Sequence, residues 1–214
     1  MITVLVACKE PKRPEGLEHL GVEGVDWRIA FDTGAGWGEA SNRLLANASG
    51  DCLFCDDDVA FTQDSLAGVR AHRGQADVFG LDLHDLRGQR QVGARHVLTP
   101  DGAIVDWVQS GPAYVAHCST SAIYLTAPVV RAVRFPIWPG LHWEDVAFCF
   151  DAWAKGFKVL AVPGLVYHAI EQGVGATKCH DAAFWQRWHT NRAAFQQWCA
   201  GRDLSAVPVG VREL

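Results

Sequence analysis

No stretch of this chain approaches the ~20 uninterrupted apolar residues needed to span a bilayer, which leaves only peripheral contact with a membrane open. A basic run is also missing. Lys and Arg number 19 against 24 Asp and Glu, for a net charge of −5, so nucleic acid is not an expected partner. Met1–Cys8 is apolar but lacks a basic start and a small-residue cleavage site, and it reads as a first strand rather than a signal peptide. Repeats, linkers and low-complexity segments are absent. With 214 residues and 49% hydrophobic content, the pattern is that of one domain, 1–214, with one substantial core. The seven cysteines are odd in number and scattered, which suits reduced thiols and a cytoplasmic location.

What is present centres on Gly50–Val59, Gly-Asp-Cys-Leu-Phe-Cys-Asp-Asp-Asp-Val. Cys52–Cys55 is apolar on both faces, the pattern of a buried parallel strand. It ends in three adjacent carboxylates, Asp56, Asp57 and Asp58. Like charges at a strand end repel one another and are costly to desolvate, and a divalent cation, Mn²⁺ or Mg²⁺, resolves both problems. The plainer reading is a solvated acidic loop. Cys52 and Cys55 lie three apart, so on a strand they point to opposite faces and neither chelate a metal together nor form a disulfide.

Strands are expected at Ile2–Cys8, Trp27–Phe31, Val78–Leu83, Ser121–Leu125, Phe157–Val162 and Leu165–His168. Helices are expected around Glu15–Leu20, over Glu39–Ala48, from an N-cap at Thr62 to His72, from Pro128, over Trp143–Lys155 and over Asp181–Ala200. In the fifth of these, Val146, Cys149, Phe150 and Trp153 share one face. Gln91–Leu98 and Ala103–Val108, around Thr-Pro-Asp-Gly, read as a hairpin, and Phe135–His142 as an irregular loop. Alternating strands and helices predict an α/β fold with a mostly parallel central sheet between helical layers.

Three further groups have the chemistry to join the acidic triplet. Glu144-Asp145 opens a helix, where carboxylates also serve simply as good first-turn residues. His168 ends the last strand before a glycine-rich loop, and Asp32 ends the second strand beside glycine turns. Nine tryptophans are many for this length; most are expected in the core, and exposed ones can stack on sugars. Trp138 and Trp143 lie just before Glu144, so they either line a site beside it or cover the core.

Taken in order, Asn42-Arg-Leu-Leu-Ala-Asn-Ala-Ser-Gly-Asp, Asp56-Asp57-Asp58, Trp143-Glu144-Asp145, Lys155-Gly156-Phe157-Lys158-Val159, Pro163 and His168 resemble the family-two glycosyltransferases. The ending Asn191-Arg-Ala-Ala-Phe195-Gln-Gln-Trp198 is similar to theirs as well. The resemblance implies the glycosyltransferase-A fold, a three-layer nucleotide-diphospho-sugar transferase architecture. It further implies a nucleotide-sugar-binding half at 1–85, an acceptor half at 86–178, and a terminal helix and tail at 179–214. The implied reaction moves a sugar from a UDP- or GDP-sugar donor to a hydroxyl of a carbohydrate or glycoconjugate. Asp58, Asp56 and His168 would hold the metal. Lys9, Asp32, Asn42, Asp56 and Asp57 would contact the donor. Asp145 would be the base of an inverting reaction beside Glu144, and a second carboxylate next to it would raise its pKa.

Other readings share parts of this pattern. A non-catalytic relative that binds a nucleotide sugar or a carbohydrate would keep the fold and the tryptophans. A haloacid-dehalogenase-like phosphatase also places Asp-x-Asp after a strand, but the acidic strand is normally its first. A sugar nucleotidyltransferase needs a glycine- and arginine-rich phosphate loop after its first strand, which Cys8-Lys-Glu-Pro-Lys-Arg-Pro is not.

Overall fold

A computed structural model describes residues 1–8, 13–31, 36–90, 95–106, 111–138, 142–168 and 182–210, and the backbone of 212–213. In chain order its elements are β1 (Ile2–Cys8), a 3-10 turn (Leu17–Leu20), β2 (Val25–Phe31), α1 (Trp37–Ala46), β3 (Cys52–Asp56), β4 (Val59–Phe61), α2 (Ala67–Ala71) and β5 (Val78–His84). There follow β6 (Arg95–Leu98), β7 (Ile104–Asp106), β8 (Ala113–Tyr114), β9 (His117–Cys118), β10 (Ala122–Leu125) and α3 (Ala127–Ala132). The last are α4 (Glu144–Ala154), β11 (Val159–His168), α5 (Ala182–Ala200) and β12 (Arg212–Glu213).

The main sheet runs β12-β8-β11-β5-β10-β3-β1-β2, with β4 added against β11. β1 pairs in parallel with both β2 and β3, β11 pairs in parallel with β5, and β10 is antiparallel between β3 and β5. β1, β2, β3, β5 and β11 therefore all point their carboxyl ends to one edge. Successive side chains of β3 enter different cores: Cys52 and Phe54 join one cluster, Leu53 and Cys55 the other. This confirms the opposite orientation of the two thiols and explains the unbroken apolar run. α1, α3, α4 and α5 cover the first face, and the 3-10 turn and α2 cover the second. The result is a three-layer α/β sheet, as expected.

Three local expectations are corrected. The helix expected from Thr62 is only Ala67–Ala71 and has no side-chain cap, because the Thr62 hydroxyl bonds to the carbonyl of Leu165 instead. The two expected strands at 157–168 are one, since the chain passes Pro163-Gly164 as a bulge and regains register with β5 at Leu165. Val59–Phe61 was not expected as a strand, yet it pairs antiparallel with the end of β11. The hairpin forms as β6 and β7, which join β9 in a separate three-stranded sheet.

Candidate metal and catalytic site

The acidic triplet straddles a tight reversal. β3 ends at Asp56, Asp57 and Asp58 make the turn, and β4 starts at Val59. Because Val59 pairs with His168, the turn lies against the last residue of β11. His168 Nε2 and Asp58 Oδ1 are 3.0 Å apart, and ligand atoms of Asp56, Asp58 and His168 all lie within 4.8 Å of one another. All of this sits at the carboxyl edge of the sheet, where open α/β sheets hold ligands.

The charge at this edge is poorly balanced. Burial and the neighbouring Asp58 push the Asp56 carboxyl up to about 6, against the opposing pull of the Ser121 hydroxyl and His168. A bound cation would relieve that strain directly. Two carboxylates with one imidazole are a donor set that fits Mn²⁺, which accepts oxygen and nitrogen ligands alike.

The second group of acids opens α4. His142 and Trp143 precede it with φ of 108° and 72°, the only described non-glycine residues with positive φ. Such backbone is costly for a side chain and persists where packing fixes it. Here Trp143 stacks on Phe195 of α5 at 5.2 Å. Trp138 is buried and donates its indole N–H to the carbonyl of His142. Both tryptophans thus serve packing around the helix start.

Glu144 and Asp145 are adjacent but live in different surroundings. Glu144 is 2% exposed, and its Oε1 meets no hydrogen-bond partner among the described residues. Burial pushes its carboxyl up to about 9, so it is a neutral acid at pH 7. Asp145 keeps 28% of its side chain exposed, accepts the Val146 N–H at Oδ1, and places Oδ2 3.0 Å from His117 Nε2. Burial alone would raise Asp145, but His117 and the Val146 amide together hold it below its ordinary value. The upward push expected on Asp145 from its neighbour therefore falls on Glu144, the less solvated of the two.

His117 was not singled out from the sequence. It lies on β9, immediately before the Ser119–Ser121 turn that leads into β10. β10 enters the sheet beside the end of β3, with Ala122 opposite Cys55, and Ser121 accepts the Asp56 N–H at its carbonyl. Gly80 on β5 makes room for this approach, because a Cβ there would collide with Cys118. The only sequence signal is a glycine inside an otherwise bulky strand.

The remaining expected donor contacts divide. Asn42, on α1, places both ends of its amide on the main chain of Phe135, donating to its carbonyl and accepting its N–H at 2.9 Å each. Asp57 occupies the turn between the two expected metal ligands. Lys9 and Asp32 lie outside the described residues; the strand residues just before them, Cys8 and Phe31, are ladder partners.

No protein-family model matches the sequence, and no curated protein matches it either. Solved structures do. A197 from STIV matches with a TM-score of 0.57 at 17% identity, covering 80% of this chain and 87% of that one. S. aureus TarS 1-349 in complex with UDP-GlcNAc matches with a TM-score of 0.54 at 14% identity, covering 87% of this chain and 64% of that one. GalNAc-T7 with UDP, GalNAc and Mn²⁺ matches with a TM-score of 0.53 at 12% identity, over 82% of this chain and 46% of that one. This chain thus spans most of the first but less than two thirds of the other two. Among the described residues, no helix is long and apolar enough to cross a membrane. With the strand order and the acidic reversal at the sheet's carboxyl edge, these likenesses show that the chain has the glycosyltransferase-A fold.

Proposed function

We propose that this protein is a metal-dependent glycosyltransferase that moves a sugar from a nucleoside-diphosphate sugar to an acceptor hydroxyl, inverting the anomeric carbon. The observation that carries the reading is the convergence of Asp56, Asp58 and His168 at the carboxyl edge of a glycosyltransferase-A sheet. The likeness to folds solved with UDP-GlcNAc, and with UDP and Mn²⁺, supports it.

Asp56, Asp58 and His168 would hold the cation, which when bound would neutralise the charge that builds on a leaving diphosphate. Asp145 is the base. It is ionised, it keeps a path to solvent, and its carboxylate retains acceptor capacity beyond Val146 and His117 for an incoming hydroxyl. Glu144 is packed and neutral at pH 7, and it takes no proton from the acceptor. Asn42 acts as a clamp that fixes the Phe135 segment over α1. Asp32 is assigned to the donor base with Lys9 as a further donor contact, and Asp56 to the donor ribose or to the metal through water. A carbohydrate or glycoconjugate supplies the acceptor hydroxyl, and the reaction is placed in the cytoplasm.

Thermal unfolding with UDP-GlcNAc and a panel of other UDP- and GDP-sugars, with and without Mn²⁺, tests this reading. A donor at 100 times its Kd adds about 2.7 kcal/mol of stability, and only with the metal present. Release of nucleoside diphosphate from the stabilising donor should accompany it. Stabilisation without turnover would favour a non-catalytic binding relative, and no metal-dependent stabilisation by any donor would refute the assignment.

A further inference from the structure

The two edges of the main sheet are unlike. One is β12, a strand of two residues. The other is β2, seven residues long, and among the described residues no strand lies against its outer side. A long open edge offers a row of main-chain donors and acceptors to any strand that can approach it. Gly24, just before β2, turns its carbonyl to the N–H of Ile2 on β1. By alternation the main-chain groups of Asp26, Arg28 and Ala30 face β1, and those of Val25, Trp27 and Ile29 face outward.

The side chains of β2 alternate across the sheet. Val25 and Ile29 pack against the second cluster, and Trp27 stands between them on that face, 40% exposed. The Arg13 guanidinium lies 5.9 Å from the centroid of its ring. Asp26 and Arg28 occupy the opposite face, half-exposed, and pair with each other at 2.8 Å. Arg28 also donates to the carbonyl of Asn47 at the end of α1. Arg43 of α1 donates to the Phe31 carbonyl and closes the edge at its carboxyl end.

We propose that β2 pairs antiparallel with β2 of a second copy of this chain, about a twofold axis at Trp27. The order Val25-Asp26-Trp27-Arg28-Ile29 is its own complement about that centre. Asp26 falls opposite Arg28 of the second copy, and Arg28 opposite its Asp26. Trp27 meets its counterpart, and Val25 meets Ile29. The apolar pairs lie at the outward-facing positions and exchange the main-chain hydrogen bonds. The two charge pairs lie between them, at the positions where opposed side chains come closest.

Neighbouring symmetric registers lack this match. Centring on Asp26 or on Arg28 sets like charges face to face, and centring on Val25 or Ile29 sets neither against an opposite charge. An unrelated strand would need the inverted charge order by chance, whereas a second copy running antiparallel carries it of necessity. The pairing extends one sheet through both copies. Their carboxyl edges then point in opposite directions, so the two candidate sites open on opposite sides.

Sedimentation velocity of the full chain over a range of concentrations tests the proposal. Wild type should be dimeric. Asp26→Arg and Arg28→Asp each make both cross-strand charge pairs repulsive, and each variant alone should dimerise about 100-fold more weakly. Mixed in equal amounts, the two variants regain both opposite-charge pairs, and the mixture should recover a dimer of wild-type affinity. Trp27→Glu, at an exposed position beside Arg13, puts like charges at the axis and should be a folded monomer by circular dichroism. It decides the matter alone if a charge variant fails to fold. A wild type that stays monomeric would overturn the proposal. A dimer that persists in the variants, or charge variants whose mixture stays monomeric, would overturn it equally.

Discussion

The two ends of the site solve opposite electrostatic problems. At the β3–β4 reversal, Asp56 and Asp58 meet one imidazole, and burial together with the neighbouring Asp58 charge pushes the Asp56 carboxyl up to about 6. At the start of α4, Asp145 lies 3.0 Å from His117 and accepts the Val146 N–H, and its carboxyl is held below its ordinary value. On the proposed reading a cation would complete the first end, whereas the second has a histidine of the chain itself beside its carboxylate. The division of labour suits sugar transfer, in which negative charge leaves with the diphosphate while a base must remain ionised without help from the metal.

Removing the base should have the largest effect. Asp145→Asn is expected to lower kcat by about 10²–10⁴ while donor Kd stays nearly unchanged, because the metal end is untouched. With Mn²⁺ and donor held saturating, the acid limb of kcat should lie below the ordinary carboxylate range, since Asp145 is depressed. The stability that Asp145 contributes follows the same sign: it is present above the unfolded value of about 3.9 and lost as pH falls through the folded one. Retention of anomeric configuration, read by NMR of the product, would remove the need for this base. Asp58→Asn acts at the other end, and Mn²⁺-dependent donor binding should weaken roughly 100-fold with the fold intact, as judged by calorimetry with and without the metal. Unchanged metal-dependent affinity would break the contrast between the ends. His168→Ala should weaken it by only about tenfold, because water can replace one ligand of a hard cation. Unfolding without loss of donor affinity would make His168 a packing residue.

How much of this is legible in the sequence depends on how local each feature is. β1, β3 and β5 stand out because strands buried on both faces are apolar throughout, and a strand that ends in three aspartates announces its own ligand edge. The Glu144-Asp145 helix is legible from its apolar period. The meeting of Asp58 with His168 is less so, since it depends on β4, a three-residue strand too short to show alternation. The placement of His117 beside Asp145 is the least legible. His117 comes from a strand of two residues in a separate small sheet. The adjacent acids show the same limit from another side. Sequence places Glu144 and Asp145 together, but one residue's step around a helix buries the first and leaves the second facing a histidine.

That step gives the smallest effect on turnover and the sharpest test of the contrast within the acid pair. Glu144 is held neutral by burial, so Glu144→Gln exchanges one neutral group for another of the same shape, and kcat should change by less than about tenfold. Stability should respond more. An unfolded Glu ionises near ~4.3, while the folded one stays protonated up to about 9. Its folded value is raised, so its contribution is fully present below ~4.3 and is lost as pH rises toward 9, at about 1.4 kcal/mol per pH unit. Glutamine has no such slope. Urea unfolding at pH 5, 6.5 and 8 should therefore show the variant gaining on wild type as pH rises, by a few kcal/mol across the range. A difference independent of pH would mean that Glu144 is ionised in the folded protein. The first acid of the pair would then share the ionised state of the second, and the assignment of the base to Asp145 alone would lose its electrostatic ground.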